Sequence, residues 1–239
     1  MLNTLAQISE AGVAVWLDDL SRERLKNGSL AKLIAEDSVV GVTTNPSIFG
    51  SAISKSDLYR NDILQNKDKS IEDIITKLTT DDVREACDLF HNTFKASNEI
   101  DGRISLEVDP RFAHDAMATI KQGKQLWEIV DRKNLLIKVP ATVEGLPAVT
   151  ELIAQGISVN ITLIFSLDRY KKVLDAFAAG LEKRVNASQE IGSIHSVASF
   201  FVSRIDAEID KQLGDKSELK GLAAIANAVM AYEVFLEFE

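Results

Sequence analysis

One lysine in this sequence stands where a charge is costly. Lys138 follows Leu135-Leu136-Ile137 and precedes Val139, so its ammonium loses hydration unless something offsets the loss. Desolvation favours the free amine, which can attack a carbonyl carbon and form a Schiff base. The plainer reading is a strand-end lysine that snorkels to water or pairs with Glu107. Other apolar runs are closed by polar groups as well: Asp18 and Asp19, then Thr43, Thr44 and Asn45, then Glu107 and Asp109, Asn160 and Thr162, and finally Ser199, Ser203 and Arg204. Carboxylates move protons directly or through water, hydroxyls and amides orient a substrate, and a guanidinium holds an anion. Each also has a structural use. Glu107 can pair with Lys138 or Arg103, Asp18 can cap a helix, and Asn45 before Pro46 can serve a turn.

These groups do joint chemistry only if the backbone gathers them. Six short runs rich in Val and Ile, at 13–17, 39–43, 104–108, 135–139, 157–165 and 197–202, read as strands, and stretches with helical spacing lie between them. Val83, Ala86, Cys87, Phe90 and Phe94 make one apolar stripe, and Leu167, Tyr170, Val173, Leu174, Phe177 and Leu181 make another. Alternating strands and helices predict an α/β fold with a parallel sheet, either a (β/α)8 barrel or a doubly wound sheet. Neither GxGxxG nor GxxxxGK[ST] occurs, which favours the barrel. In both architectures the site forms at the carboxyl ends of the strands, where the polar groups above fall. The polar stretch 46–70 reads as short helices and loop. With 4 prolines, 12 glycines and no linker-like cluster, residues 1–239 read as a single domain.

Composition removes several classes of function. Hydrophobic residues are 46% and charged residues 26% of the 239, ordinary for a folded protein, and the net charge is −9. An acidic surface repels phosphate backbones and anionic lipids, so neither nucleic acid nor membrane is expected as a partner. No run of about 20 apolar residues and no basic-then-apolar leader is visible, and the expected location is the cytoplasm. Cys87 is the lone cysteine, so no internal disulfide forms. His91 and His114 lie on helical patterns and His195 just before the sixth run; no pair has metal-ligand spacing, and no metal is expected. Residues 66–70 mix charges of both signs and read as a solvated loop.

The residues carry a resemblance. The segments WLDDLSR at 16–22, GVTTNPSIF at 41–49, GRISLEVDP at 102–110, LLIKVPATVEGL at 135–146, GISVNITLIFS at 156–166 and SVASFFVSRID at 196–206 resemble those of the transaldolases of the longer bacterial type, in the same order. The resemblance implies a (β/α)8 TIM barrel of the pentose phosphate pathway. Such an enzyme moves a dihydroxyacetone unit from fructose 6-phosphate or sedoheptulose 7-phosphate to an aldose phosphate, without metal or organic cofactor. It implies that Lys138 is the Schiff-base lysine and that Asp18 handles the proton of the breaking carbon–carbon bond. It implies further that Glu107 and Thr162 position a water for proton transfer, that Asn45 and Asn160 hold substrate hydroxyls, that Ser199 lines the sugar site, and that Arg204 binds phosphate.

Only six of the eight strands of such a barrel can be found. After the sixth run, 220–238 reads as one helix, and the sequence resembles a C-terminally incomplete transaldolase. Strands one and six are then expected to present unpaired edges. A homo-oligomer or a strand-completing partner is expected to cover them. The alternative function is a catalytically silent barrel that binds sugar phosphate or associates with another chain.

Overall fold

The computed structural model describes residues 3–214 and 217–238. Among them, six strands are hydrogen-bonded in the order β1-β2-β3-β4-β5-β6: β1 (Val15–Asp18), β2 (Val39–Thr43), β3 (Arg103–Glu107), β4 (Leu135–Pro140), β5 (Val159–Ile164) and β6 (Ser196–Phe200). The pairs β1/β2, β2/β3 and β5/β6 are parallel, as the alternation of strands and helices requires. The residues fall into two compact units, Met1–Pro110 with Gln122–Ile137 and Arg111–Lys121 with Lys138–Glu239.

The first unit holds β1 to β3 and the helices α1 (Thr4–Glu10), α2 (Arg22–Lys26), α3 (Ser29–Glu36), α4 (Pro46–Lys55), α5 (Arg60–Gln65), α6 (Ile71–Leu89) and α7 (His91–Ala96). Local sequence sets the helix starts. Ser21 and Ser70 accept from the backbone N–H groups of Arg24 and Asp73, and Asn45 accepts from Ile48 with Pro46 at the first helical position. The apolar stripe through Cys87 and Phe94 breaks at Phe90, which caps the end of α6 and leads into α7. Leu20, Leu30, Val42, Val83, Ala86, Phe90 and Ile104 are fully enclosed and form this unit's core. Cys87 is buried with them, and burial pushes its thiol pKa up, which suits plain packing.

In the second unit, α9 (Gly145–Ala154) and α10 (Leu167–Asn186) pack on β5 and β6, and α11 (Ser203–Ile209) and α12 (Ala223–Phe238) follow. Ser166 caps α10 by accepting from Arg169, Asp168 lies in its first turn, and Lys183 and Arg184 lie in its last, all matched to the helix dipole. The two long helices approach closely because Gly180 has no side chain. A Cβ there would lie 2.6 Å from the Cβ of Ile153. One helix, α8 (Ala116–Val130), contributes residues to both units, as does β4.

Several boundaries differ from expectation. The first strand starts two residues later than 13–17, because Gly12 and Val13 close the turn after α1 through N–H bonds to Ser9 and Ile8. The sixth ends at Phe200 instead of 202, since Val202 and Ser203 already open α11. His114 lies outside any helix, just before α8, where its ring is 3.1 Å from Glu144. The C-terminal helix is present, and Ile225, Val229, Met230, Tyr232 and Leu236 on it are exposed.

Candidate active site

In the first unit, Asp18 ends β1 and is exposed. Its partner across the ladder is Thr43, the last residue of β2, so the two side chains project from the same face of the sheet. Asp18, Asp19, Ser21, Asn45, Ser47 and Lys55 are among the residues lining a cleft of about 520 Å³, a size suited to a small polar ligand. Asp19 is engaged by Arg24 at 2.6 Å. The Asn45 side-chain oxygen is used in capping α4, 3.0 Å from the Ile48 nitrogen, which leaves the amide NH2 for a ligand. The turn and ligand readings of Asn45 are therefore compatible. Thr44 turns away and donates to the Ser105 carbonyl at 2.7 Å, tying β2 to β3. Glu107 ends β3 and is half-buried.

The same unit holds a buried network that the sequence analysis did not single out. The Tyr59 hydroxyl accepts from the Arg22 backbone N–H at 2.9 Å and donates to Asp82 at 2.7 Å. The Arg22 guanidinium donates to Asp82 at 2.8 Å, pairs with Asp62, and lies 4.4 Å from the centre of the Tyr59 ring. Tyr59 and Asp82 are each 1% exposed. Burial pushes the Asp82 carboxyl above the usual carboxylate range despite the donors around it. One signal was available: Asp82 sits on the i, i+4 stripe with Leu78 and Ala86, where a carboxylate needs partners.

In the second unit, Lys138 is 6% exposed on β4, whose six residues are all buried. The Ala141 N–H donates to the Thr162 carbonyl at 2.8 Å, which sets the Lys138 end of β4 alongside the Asn160–Thr162 stretch of β5. Asn160 and Thr162 are each 1% exposed. Ser199 of β6 donates to the Asn160 side-chain oxygen at 2.8 Å. The Thr162 hydroxyl is enclosed and has no hydrogen-bond partner, an expensive state for a polar atom unless a water or ligand completes it. Arg204, the second residue of α11, is exposed, and its guanidinium lies 4.7 Å from the centre of the Phe201 ring. That contact orients the cation while leaving its donors for an anion.

The structure thus places Asp18 and Asn45 on one cleft of the first unit with Glu107 at a neighbouring strand end. It places Lys138, Asn160, Thr162 and Ser199 along β4, β5 and β6 and Arg204 in the first turn of α11 in the second. Among the described residues, no three of His, Cys, Asp and Glu gather closely enough to hold a metal ion, and no helix is long and apolar enough to cross a membrane.

A family model described as transaldolase/fructose-6-phosphate aldolase matches residues 15–239. The chain belongs to that family. Its relatives include the transaldolase of Mycolicibacterium smegmatis (strain ATCC 700084 / mc(2)155), 54% identical over 240 residues that cover 98% of this chain and 65% of the relative. Those of Frankia alni (strain DSM 45986 / CECT 9034 / ACN14a) and Thermobifida fusca (strain YX) are 52% and 51% identical, covering 98% and 99% of this chain. The chain spans about two thirds of the length of these curated relatives, 65% and 66% for the latter two. The transaldolase resemblance and the α/β alternation read from the sequence agree with this membership.

Proposed function

We propose that this chain carries out the transaldolase reaction, moving a dihydroxyacetone unit from a ketose phosphate to an aldose phosphate through a Schiff base on Lys138. The observation that carries the reading is a lysine 6% exposed in the same unit as an enclosed, unpartnered Thr162 hydroxyl and the Ser199–Asn160 hydrogen bond. The Lys138 amine adds to the ketose carbonyl, and loss of water gives an iminium, which serves as an electron sink. Removal of a proton from the hydroxyl two carbons along then breaks the carbon–carbon bond. The electron pair moves to the iminium nitrogen, and an aldose phosphate leaves. The three-carbon enamine that remains attacks the carbonyl of an acceptor aldose phosphate, and water releases the product.

Roles follow residue by residue from the resemblance. Asp18 takes and returns the hydroxyl proton, and Glu107 with Thr162 holds the water that serves imine formation. Asn45 and Asn160 hold substrate hydroxyls, Ser199 lines the sugar site, and Arg204 holds phosphate. No group beyond these side chains is invoked. The reading includes a cytoplasmic location, where phosphorylated sugars are made and consumed. It also includes self-association, supported by the exposed Ile225, Val229, Met230, Tyr232 and Leu236 of α12. Mass measured by light scattering across a concentration series tests that part: a dimer or larger species supports it, and a monomer at all concentrations removes it.

The reaction is tested by supplying fructose 6-phosphate with and without erythrose 4-phosphate. Product formation that needs the acceptor supports transfer. Release of free dihydroxyacetone without acceptor makes the chain an aldolase instead, and binding without turnover makes it a silent sugar-phosphate binder.

A further inference from the structure

Three enclosed polar side-chain atoms among the described residues have no hydrogen-bond partner: the hydroxyls of Thr43 and Thr162 and one guanidinium nitrogen of Arg103. Arg103 opens its strand, at the end opposite Glu107. The two threonines lie at or near the carboxyl ends of theirs, where the chemistry of a parallel α/β fold is placed. Thr162 already has a role in the proposed reaction. Thr43 has none.

Thr43 faces Asp18 across the β1/β2 ladder and comes two residues before Asn45, and both of those neighbours line the 520 Å³ cleft. Its hydroxyl is enclosed although the residue as a whole is only half-buried, so its exposure belongs to its other atoms. One step about χ1 exchanges the positions of the hydroxyl and the methyl. No protein partner is lost in that step.

We infer that Thr43 is a further catalytic residue, whose O–H donates to the same substrate oxygen that exchanges its proton with Asp18. The inference rests on the proposed reaction and deepens it. In the cleavage direction that oxygen passes its proton to Asp18, carries developing negative charge as the carbon–carbon bond breaks, and ends as the aldehyde oxygen. In the addition direction the same O–H polarises the acceptor aldehyde, and the oxygen regains its proton from Asp18. A fixed donor at such an oxygen acts mainly on the transition state.

Thr43→Val keeps the shape and removes the hydroxyl; Thr43→Ser keeps the hydroxyl. Reductive trapping with dihydroxyacetone reads imine formation without carbon–carbon chemistry, and fructose 6-phosphate with acceptor reads the whole cycle. Thr43→Val is expected to trap dihydroxyacetone within twofold of wild type, to lose about 10- to 100-fold in kcat with little change in KM, and to regain most of it as Thr43→Ser. It is also expected to unfold at or above the wild-type temperature, because a buried hydroxyl without a partner does not stabilise. A Thr43→Val protein that turns over within twofold of wild type overturns the inference alone. So does one whose Tm falls by several degrees, which would reveal a protein partner for the hydroxyl. Wild type that neither traps dihydroxyacetone nor turns over overturns the Schiff-base reading itself.

Discussion

The Tyr59 hydroxyl offers a sharp test of the Arg22–Tyr59–Asp82 network, because the residue is 1% exposed and its hydroxyl serves as acceptor for one buried group and donor to another. Tyr59→Phe keeps the ring and its cation–π contact with Arg22 but removes both hydrogen bonds. Losing the bond to the Asp82 carboxylate costs about 1.5–3 kcal/mol, as for other hydrogen bonds to charged groups. Stranding the Arg22 N–H adds about 1–3 kcal/mol where no water can reach it. Arg22 still donates to Asp82 at 2.8 Å, so some of the loss is recovered by local adjustment, and a net cost of about 3 kcal/mol is expected. For a chain of this length that corresponds to a fall in Tm of about 6–12 °C. Guanidinium unfolding followed by circular dichroism measures it, provided the transition is a single cooperative step. A double-mutant cycle with Asp82→Asn should give a coupling of about 1 kcal/mol or more, since the two side chains touch. A loss under about 1 kcal/mol with no coupling would refute the reasoning that this hydroxyl is fully engaged.

Other expectations follow from the same geometry. Gly145→Ala should destabilise the fold by about 2 kcal/mol or more in the same unfolding assay, because a Cβ there would lie 2.1 Å from the Pro140 carbonyl oxygen, two residues past Lys138. Arg204→Met should raise KM for phosphorylated substrates by about tenfold or more while leaving trapping of unphosphorylated dihydroxyacetone unchanged, as expected for loss of a charge-assisted phosphate contact; steady-state kinetics with both compounds decides it. Stability should decline as pH falls below the ordinary carboxylate range. Asp88 is held low by its hydrogen bond from Arg132, and Glu151 by those from Gln155 and Lys183, so their contribution is present above the unfolded pKa and lost as they protonate. Tm measured from pH 7 to pH 3 checks the sign, and a Tm that rises over that interval would contradict it.

Most of the scaffold was legible because apolar periodicity and capping are local. The second strand, 39–43, has the bounds expected of it, flanked by turn-forming residues on both sides. Helix α10 follows its apolar stripe from the Ser166 cap onward. The break at Phe90 was missed because the i, i+3, i+4 pattern passes through it unchanged. Of the candidate site, the residue types were readable as strand-end polar groups, and their assignment to a reaction came from the resemblance. What could not be read was pairing over long separations. Arg22 meets Tyr59 and Asp82 across 37 and 60 residues, and only Asp82 on a buried stripe hinted at it. Nor does a sequence show that the Thr43 and Thr162 hydroxyls are enclosed without partners.

The central claim is that Lys138 forms a covalent bond with the substrate. Incubation with fructose 6-phosphate, reduction with borohydride and peptide mass spectrometry test it most directly. The account predicts a dihydroxyacetone-sized adduct on Lys138 and none on Lys138→Met. A folded protein that gives no adduct, or one labelled at another lysine, would contradict it.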